Sequence, residues 1–268
     1  METKELANRI RIHAIQMTHA THASHVGAVL SVADIVAILY NEVLRYDAKN
    51  PKWEDRDRVV LSKGHAGIAI YSALAESGFF PISELEKYYQ DGSLYSGHVS
   101  HKGVPGVEFS TGSLGHGVAV ACGLALAGKA KKKDYNVYAI IGDGESEEGV
   151  VWETAMIAAQ QKLDNFTIIV DANHMQGMGD CKDITAIYPM VDKWKSFGFY
   201  TIEVEDGNDV TQLRQAFAQH RDKMPRCIIA NTIKGKGVSF MENDILWHFR
   251  DPQGELYEKA IAELEANR

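Results

Sequence analysis

The chain has 268 residues, with 28 Lys and Arg against 36 Asp and Glu, a net charge of −8 at neutral pH. That length buries a sizeable core in one large domain or two small ones, and a composition 45% hydrophobic and 24% charged excludes a disordered or fibrous chain. The acidic balance argues against nucleic acid or an anionic membrane as the main partner, and three cysteines (Cys122, Cys181, Cys227) do not make a disulfide framework.

The N-terminus is charged and helix-like, not a secretory signal, and no run is read as approaching the ~18 apolar residues of a membrane span. A reducing, cytoplasmic setting is expected. Residues 3–20 carry Leu6, Ile10, Ala14 and Met17 on one helix face. A second helix is expected over 31–44, with Ser31 as its N-cap and Asp34 in its first turn. Short β-branched runs then occupy 59–61, 137–141, 166–170, 201–204 and 227–230. Three of them are nearly continuous apolar stretches, as expected of strands covered on both faces. Helices are expected at about 65–77, 114–131, 149–162, 187–197 and 208–222. This alternation, without repeat or linker, implies a single α/β domain: a parallel sheet with helices on both faces. In such sheets ligands bind beyond the carboxyl ends of the strands.

Gly142-Asp143-Gly144 follows the second strand run and Asp171-Ala172-Asn173 the third. Thirty positions, about one strand-helix-strand unit, separate Asp143 from Asn173 and put both at one edge of adjacent strands. A carboxylate and an amide oxygen are hard ligands suited to Mg²⁺ or Ca²⁺, whose other ligands are commonly phosphate and water. The flanking glycines permit a tight turn and close approach of a phosphate to backbone N–H groups. The plainer alternative is an ordinary turn closed by Asp. His19, His22 and His25 stand at i, i+3, i+6, but with no second Cys or His cluster zinc is not favoured. Six of the eleven histidines (His13, His19, His22, His101, His174, His220) are read as surface or packing residues, and Trp152, Trp194 and Trp247 as packing. Lys234 either reaches a phosphate or is a solvated loop lysine.

Gly-Asp-Gly after a strand, with Asn at the next strand end, is similar to the thiamine-diphosphate motif. The segment GDGESEEGVVWETAMIAAQQKLDNFTIIVDAN resembles the diphosphate-binding domain of transketolase, as do WEDRDRVVLSKGHA (53–66), PGVEFSTGSLGHG (105–117) and NTIKGKGVSFMEN (231–243). The resemblance runs from about residue 4 to residue 250. It implies that Asp143, Asn173 and the Met175 carbonyl bind the metal and that His65 contacts the diphosphate. Gly112, Ser113 and Leu114 would line the cofactor, Leu114 against its aminopyrimidine, and the Gly144 N–H would meet the diphosphate. His25, His98 and His248 match histidines around the sugar hydroxyls and reactive carbon, and Glu148 matches a subunit-interface glutamate. Three departures fall around the sugar site: Ala23-Ser24-His25 for Ser-Gly-His, His116 for Gln, and His248-Phe249-Arg250 for His-Gly. Arg250 is thereby a candidate contact for an anionic substrate group.

In the family, the glutamate that activates thiamine diphosphate and an aromatic that stacks on its ring belong to a C-terminal domain. This sequence stops at Arg268 after a charged helix at 255–267, so the resemblance implies the N-terminal subunit of a split transketolase. Its partner would be a C-terminal subunit carrying the pyrimidine-binding domain, in a heterotetramer. The implied activity moves a two-carbon ketol unit from a ketose, expected to be phosphorylated, to an aldose. The alternatives are the α subunit of a 2-oxo-acid dehydrogenase and a non-catalytic thiamine-diphosphate-binding subunit.

Overall fold

Each of the five apolar runs read as a strand is one, and all five pair in parallel. The computed structural model describes residues 1–220 and 222–266. Within them the sheet strands are β1 (Arg58–Leu61), β2 (Val137–Gly142), β3 (Phe166–Ala172), β6 (Tyr200–Val204) and β7 (Arg226–Asn231), in the spatial order β1-β2-β3-β7-β6. A short antiparallel hairpin, β4 (Met175–Gln176) with β5 (Gly179–Asp180), follows β3. The helices are α1 (Thr3–Thr21), α2 (Val26–Ile38), α3 (Gly67–Glu76), α4 (His116–Ala130), α5 (Gly149–Gln160), α6 (Cys181–Ile184), α7 (Met190–Ser196), α8 (Val210–Ala218) and α9 (Glu255–Ala266). The expected end of the last helix at Asn267, and Arg221 in the expected 208–222 helix, lie outside the described residues.

Strand side chains alternate between two cores, as the pleat requires. Tyr138, Ile140, Ile169 and Ile228 face α1, α2, α3 and α8. Val137, Ala139, Ile141, Ile168, Val170 and Ile229 face α4, α5 and α7. On that second side Trp194, fully buried, packs 5.0 Å from both Trp152 and Phe199. After β3 the chain turns to the α7 face, and after β7 it turns to the α2 face. Those diverging exits open a crevice at the carboxyl ends of the sheet.

Two expectations fail at α2. Ser31 is not an N-cap: the helix begins five residues earlier, and Leu39–Val43 continues it as a π-helical turn. VGAVLSVADIVAI is apolar on every side, so no change of face marks its start. Tertiary contact sets it instead, through His25 at a left-handed φ of 73° whose N–H donates to the His248 carbonyl at 2.9 Å. The apolar run is also longer than expected. The window Val26–Val43 has a mean hydropathy of 1.7, but 83% of it is buried within the protein, which makes it a core helix.

Two glycines bring loops to the crevice. A Cβ on Gly64 would overlap the Thr111 carbonyl, and one on Gly67 would lie 2.8 Å from the Val99 nitrogen. The loops carrying His98 and Gly112 can therefore close against His65.

Beneath the crevice, Lys63 after β1 donates to Asp171 in β3 at 2.5 Å, with both side chains buried. Ser31 of α2 donates to Asp171 Oδ2 at 2.7 Å, and Thr232 after β7 donates to Oδ1 at 2.5 Å. One carboxylate thus ties two strands, a helix and the β7 exit. Asp171→Ala leaves Lys63 buried without its counter-ion, a change that costs about 3–5 kcal/mol. Urea unfolding of this variant is expected to show that loss; a loss below about 1 kcal/mol would mean the tie is dispensable.

Candidate active site

A cavity of about 260 Å³ sits at the carboxyl ends of the sheet. Its floor comes from the end of β2 (Gly142) and the turn after it (Asp143, Gly144), and from Asn173 after β3 and Met175 at the start of β4. Lys63 and His65 enter from β1, Lys234 from β7, and His25 and Ala28 from the start of α2. His98, Gly112, Leu114 and His248 complete the walls. Of the residues that the resemblance places at the metal, the cofactor, the sugar or the subunit interface, Ser113 and Glu148 do not line it; both are exposed, and Glu148 packs beside Gly115.

At one pole the groups are oxygens. Asp143 Oδ1 accepts from the Gly144 N–H at 2.9 Å, and Oδ2 accepts from the His174 N–H at 2.5 Å and the Tyr188 hydroxyl at 3.2 Å. Gly144 thus gives its donor to the neighbouring carboxylate. Burial, with Asp171 nearby, raises the Asp143 carboxyl above its ordinary range. Asn173 Oδ1 accepts from the Met175 N–H at 3.2 Å, and the Met175 carbonyl accepts from Lys234 Nζ at 3.4 Å. Among the described residues no three His, Cys, Asp or Glu side chains gather as a metal cluster. The donors here are one carboxylate, one amide and one backbone carbonyl, a set that fits a hard cation sharing phosphate and water ligands and does not fit zinc.

Lys234 is buried, not a solvated loop lysine. Desolvation, then the neighbouring Lys63, lowers its ammonium to about 8. Two buried ammonium groups beside an oxygen pole make the cavity a place for a polyanion bound together with a cation.

The other pole is imidazole. The His25 ring lies 4.8 Å from His248, 5.1 Å from His65 and 5.9 Å from His98. Burial lowers His25 to about 4 and His248 to about 3, with further lowering by His98 and Lys234 on His25 and by Lys234 on His248. Burial and Lys63 drive His65 well below its usual value. These three rings are neutral, each with one donor and one acceptor nitrogen. Lys234 donates to His248 Nδ1 at 3.3 Å, so the proton of that ring sits on Nε2. Gly177 leaves room there: a Cβ would stand 3.4 Å from Nε2.

The remaining candidates disperse. His19 stacks on Tyr257 and His22 pairs with Asp251, so only His25 of the trio faces the cavity. His116 and Arg250 are exposed and outside the lining. Sequence reasoning misses Lys63, Glu145, Gln176 and Gly177, which all line it. The first two stand inside recognisable motifs, Lys-Gly-His and Gly-Asp-Gly-Glu. Buried Glu145 accepts from Ser62 Oγ (2.5 Å), Gly115 N–H (2.7 Å) and Gly142 N–H (3.1 Å), joining the ends of β1, β2 and the α4 loop.

With this geometry in place, comparison with known proteins is decisive. Residues 2–251 match the family described as transketolase, thiamine diphosphate binding domain. The chain belongs to the transketolase family. It is 38% identical over 267 residues to a 6-deoxy-6-sulfo-D-fructose transketolase subunit of Clostridium sp. (strain MSTE9), covering 99% of this chain and 97% of that one. It is 37% identical to an apulose-4-phosphate transketolase subunit of Phocaeicola vulgatus, covering 98% and 94%. A Campylobacter jejuni transketolase structure superposes with a TM-score of 0.92 at 33% identity, over 98% of this chain and 42% of that one. The fold is thus the transketolase thiamine-diphosphate-binding fold, and the match does not support the 2-oxo-acid dehydrogenase alternative.

The neutral imidazoles of this transketolase-family site carry a pH signature. In an unfolded chain His25 titrates near 6.5, and in the fold near 4, so between those values the unfolded state binds more protons. Its contribution to stability is complete above about 6.5 and is lost as the pH falls toward about 4. Relative to the wild type, His25→Gln is expected to lose less stability between pH 7 and pH 5 in denaturant titrations. Equal losses in the two proteins would contradict a neutral, desolvated His25.

Proposed function

We propose that this chain is the diphosphate-binding subunit of a two-subunit transketolase that moves a two-carbon ketol unit from a ketose, expected to be phosphorylated, to an aldose. The observation that carries this is the joining, in one cavity of a transketolase-family domain, of an oxygen pole, two ammonium groups and a set of histidines. The subunit reading is supported by relatives named as subunits, which the chain matches over 97% and 94% of their length. By contrast, the chain spans only 42% of human transketolase, to which it is 38% identical.

Asp143, Asn173 and the Met175 carbonyl would hold Mg²⁺, or Ca²⁺, against the diphosphate. When bound, thiamine diphosphate supplies a nucleophilic carbon for addition to a ketose carbonyl and an electron sink for carbon–carbon cleavage. Lys234 sets an ammonium beside the diphosphate charge, and its lowered proton affinity is restored by an approaching anion. His25, His98 and His248 offer nitrogens that donate to or accept from sugar hydroxyls, and the neutral state of His25 and His248 lets either take up a proton. Leu114 presents an apolar wall to the cofactor ring. The group that activates the ring comes from a partner subunit with the pyrimidine-binding domain, in a heterotetramer with Glu148 at the interface. Three buried free thiols fit a reducing, cytoplasmic setting.

Co-expression with the partner, followed by a ketose-donor panel, tests this. Turnover is expected only for the pair, and is expected to disappear in the pair carrying Asp143→Asn. Turnover by the chain alone would overturn the two-subunit reading. Full activity of the Asp143→Asn pair would overturn the cation assignment.

A further inference from the structure

Asn173 can face the cavity with either end of its amide, and only the oxygen can hold a cation. What selects that end lies behind it, in fully buried Ser31 of α2, whose hydroxyl stands 3.2 Å from Asn173 Nδ2. A hydroxyl has one proton. The acceptors within reach of Ser31 Oγ are Asp171 Oδ2 at 2.7 Å and the Ala28 carbonyl at 3.2 Å, and neither the carbonyl nor a carboxylate paired with Lys63 can donate. The Ser31 proton is therefore spent away from Asn173, and toward Asn173 the hydroxyl can only accept. It must meet the NH₂ end of the amide. A flipped amide would set two oxygens against each other at Ser31 and two donors against each other at Met175, whose N–H now meets Asn173 Oδ1 at 3.2 Å.

We infer that Ser31 is a positioning residue for the cation site: committed as a donor to Asp171, its hydroxyl accepts from Asn173 and keeps Asn173 Oδ1 on the cavity side. One lone pair of that oxygen serves the Met175 N–H and the other is left for the cation. The inference rests on the cation site proposed above. It gives a buried serine, in the middle of a helix where it caps nothing, a role toward a metal it does not touch. Outer partners of this kind typically change metal affinity 10–100-fold.

The test is the affinity of the chain–partner complex for Mn²⁺, read by electron paramagnetic resonance of free Mn²⁺ with saturating thiamine diphosphate. Ser31→Ala is expected to weaken Mn²⁺ binding by about tenfold or more. The same change in an Asn173→Asp background is expected to alter it less than about twofold, because a carboxylate has no wrong end. Ser31→Cys, near-isosteric with a weakly bonding thiol, is expected to act in the same direction and serves where the alanine variant does not fold. Equal losses in both backgrounds would make Ser31 merely structural and overturn the inference. So would unchanged Mn²⁺ affinity in Ser31→Ala while Asp143→Asn abolishes binding. Undiminished binding by Asp143→Asn would instead overturn the cation site, and the role of Ser31 with it.

Discussion

The buried Lys63–Asp171 pair is the constraint on which the site depends. Each partner comes from a different strand end, and an ion pair removed from water holds only while its remaining hydrogen-bonding positions are filled. Ser31 and Thr232 fill them on the carboxylate. Satisfying one charge therefore draws α2 and the β7 exit onto the carboxyl ends of β1 and β3. His25, at the head of α2, and Lys234, two residues beyond Thr232, reach the cavity as consequences of the same packing.

From that arrangement follow two poles with opposite chemical character. The oxygen pole gathers acceptors of three kinds and is flanked by ammonium groups, which suits a divalent cation bridging to a polyanion. At the imidazole pole His25, His65 and His248 are uncharged, because burial and neighbouring positive charge both disfavour their protonation. An uncharged ring does not compete with the cation for the diphosphate, and it can still exchange a proton with a hydroxyl. The cavity thus keeps its charge where the anion would lie and its proton-carrying groups where sugar hydroxyls would lie.

Much of this is legible in the sequence. β2, β3 and β7 announce themselves as unbroken β-branched runs because both their faces are covered, and Asp143 and Asn173 are found by stepping off their ends. What the sequence hides is non-local. Lys63 and Asp171 look unremarkable apart, since their meaning is a contact across 108 positions. Ser31 passes for a cap because Ser followed by Asp three residues later imitates a helix start, while the apolar residues before it hide the true one. Lys234 admits two readings because burial of a loop lysine is decided by α2, whose Gly27 lets the Lys234 stem pass close by.

The coupling of cation and polyanion at the oxygen pole is tested most directly by calorimetric titration of thiamine diphosphate into the chain–partner complex, with Mg²⁺ and with EDTA. Tight binding with Mg²⁺ that is lost in EDTA, beside binding of unphosphorylated thiamine that is indifferent to Mg²⁺, is the expected result. Thiamine diphosphate binding of equal affinity in Mg²⁺ and in EDTA would contradict it.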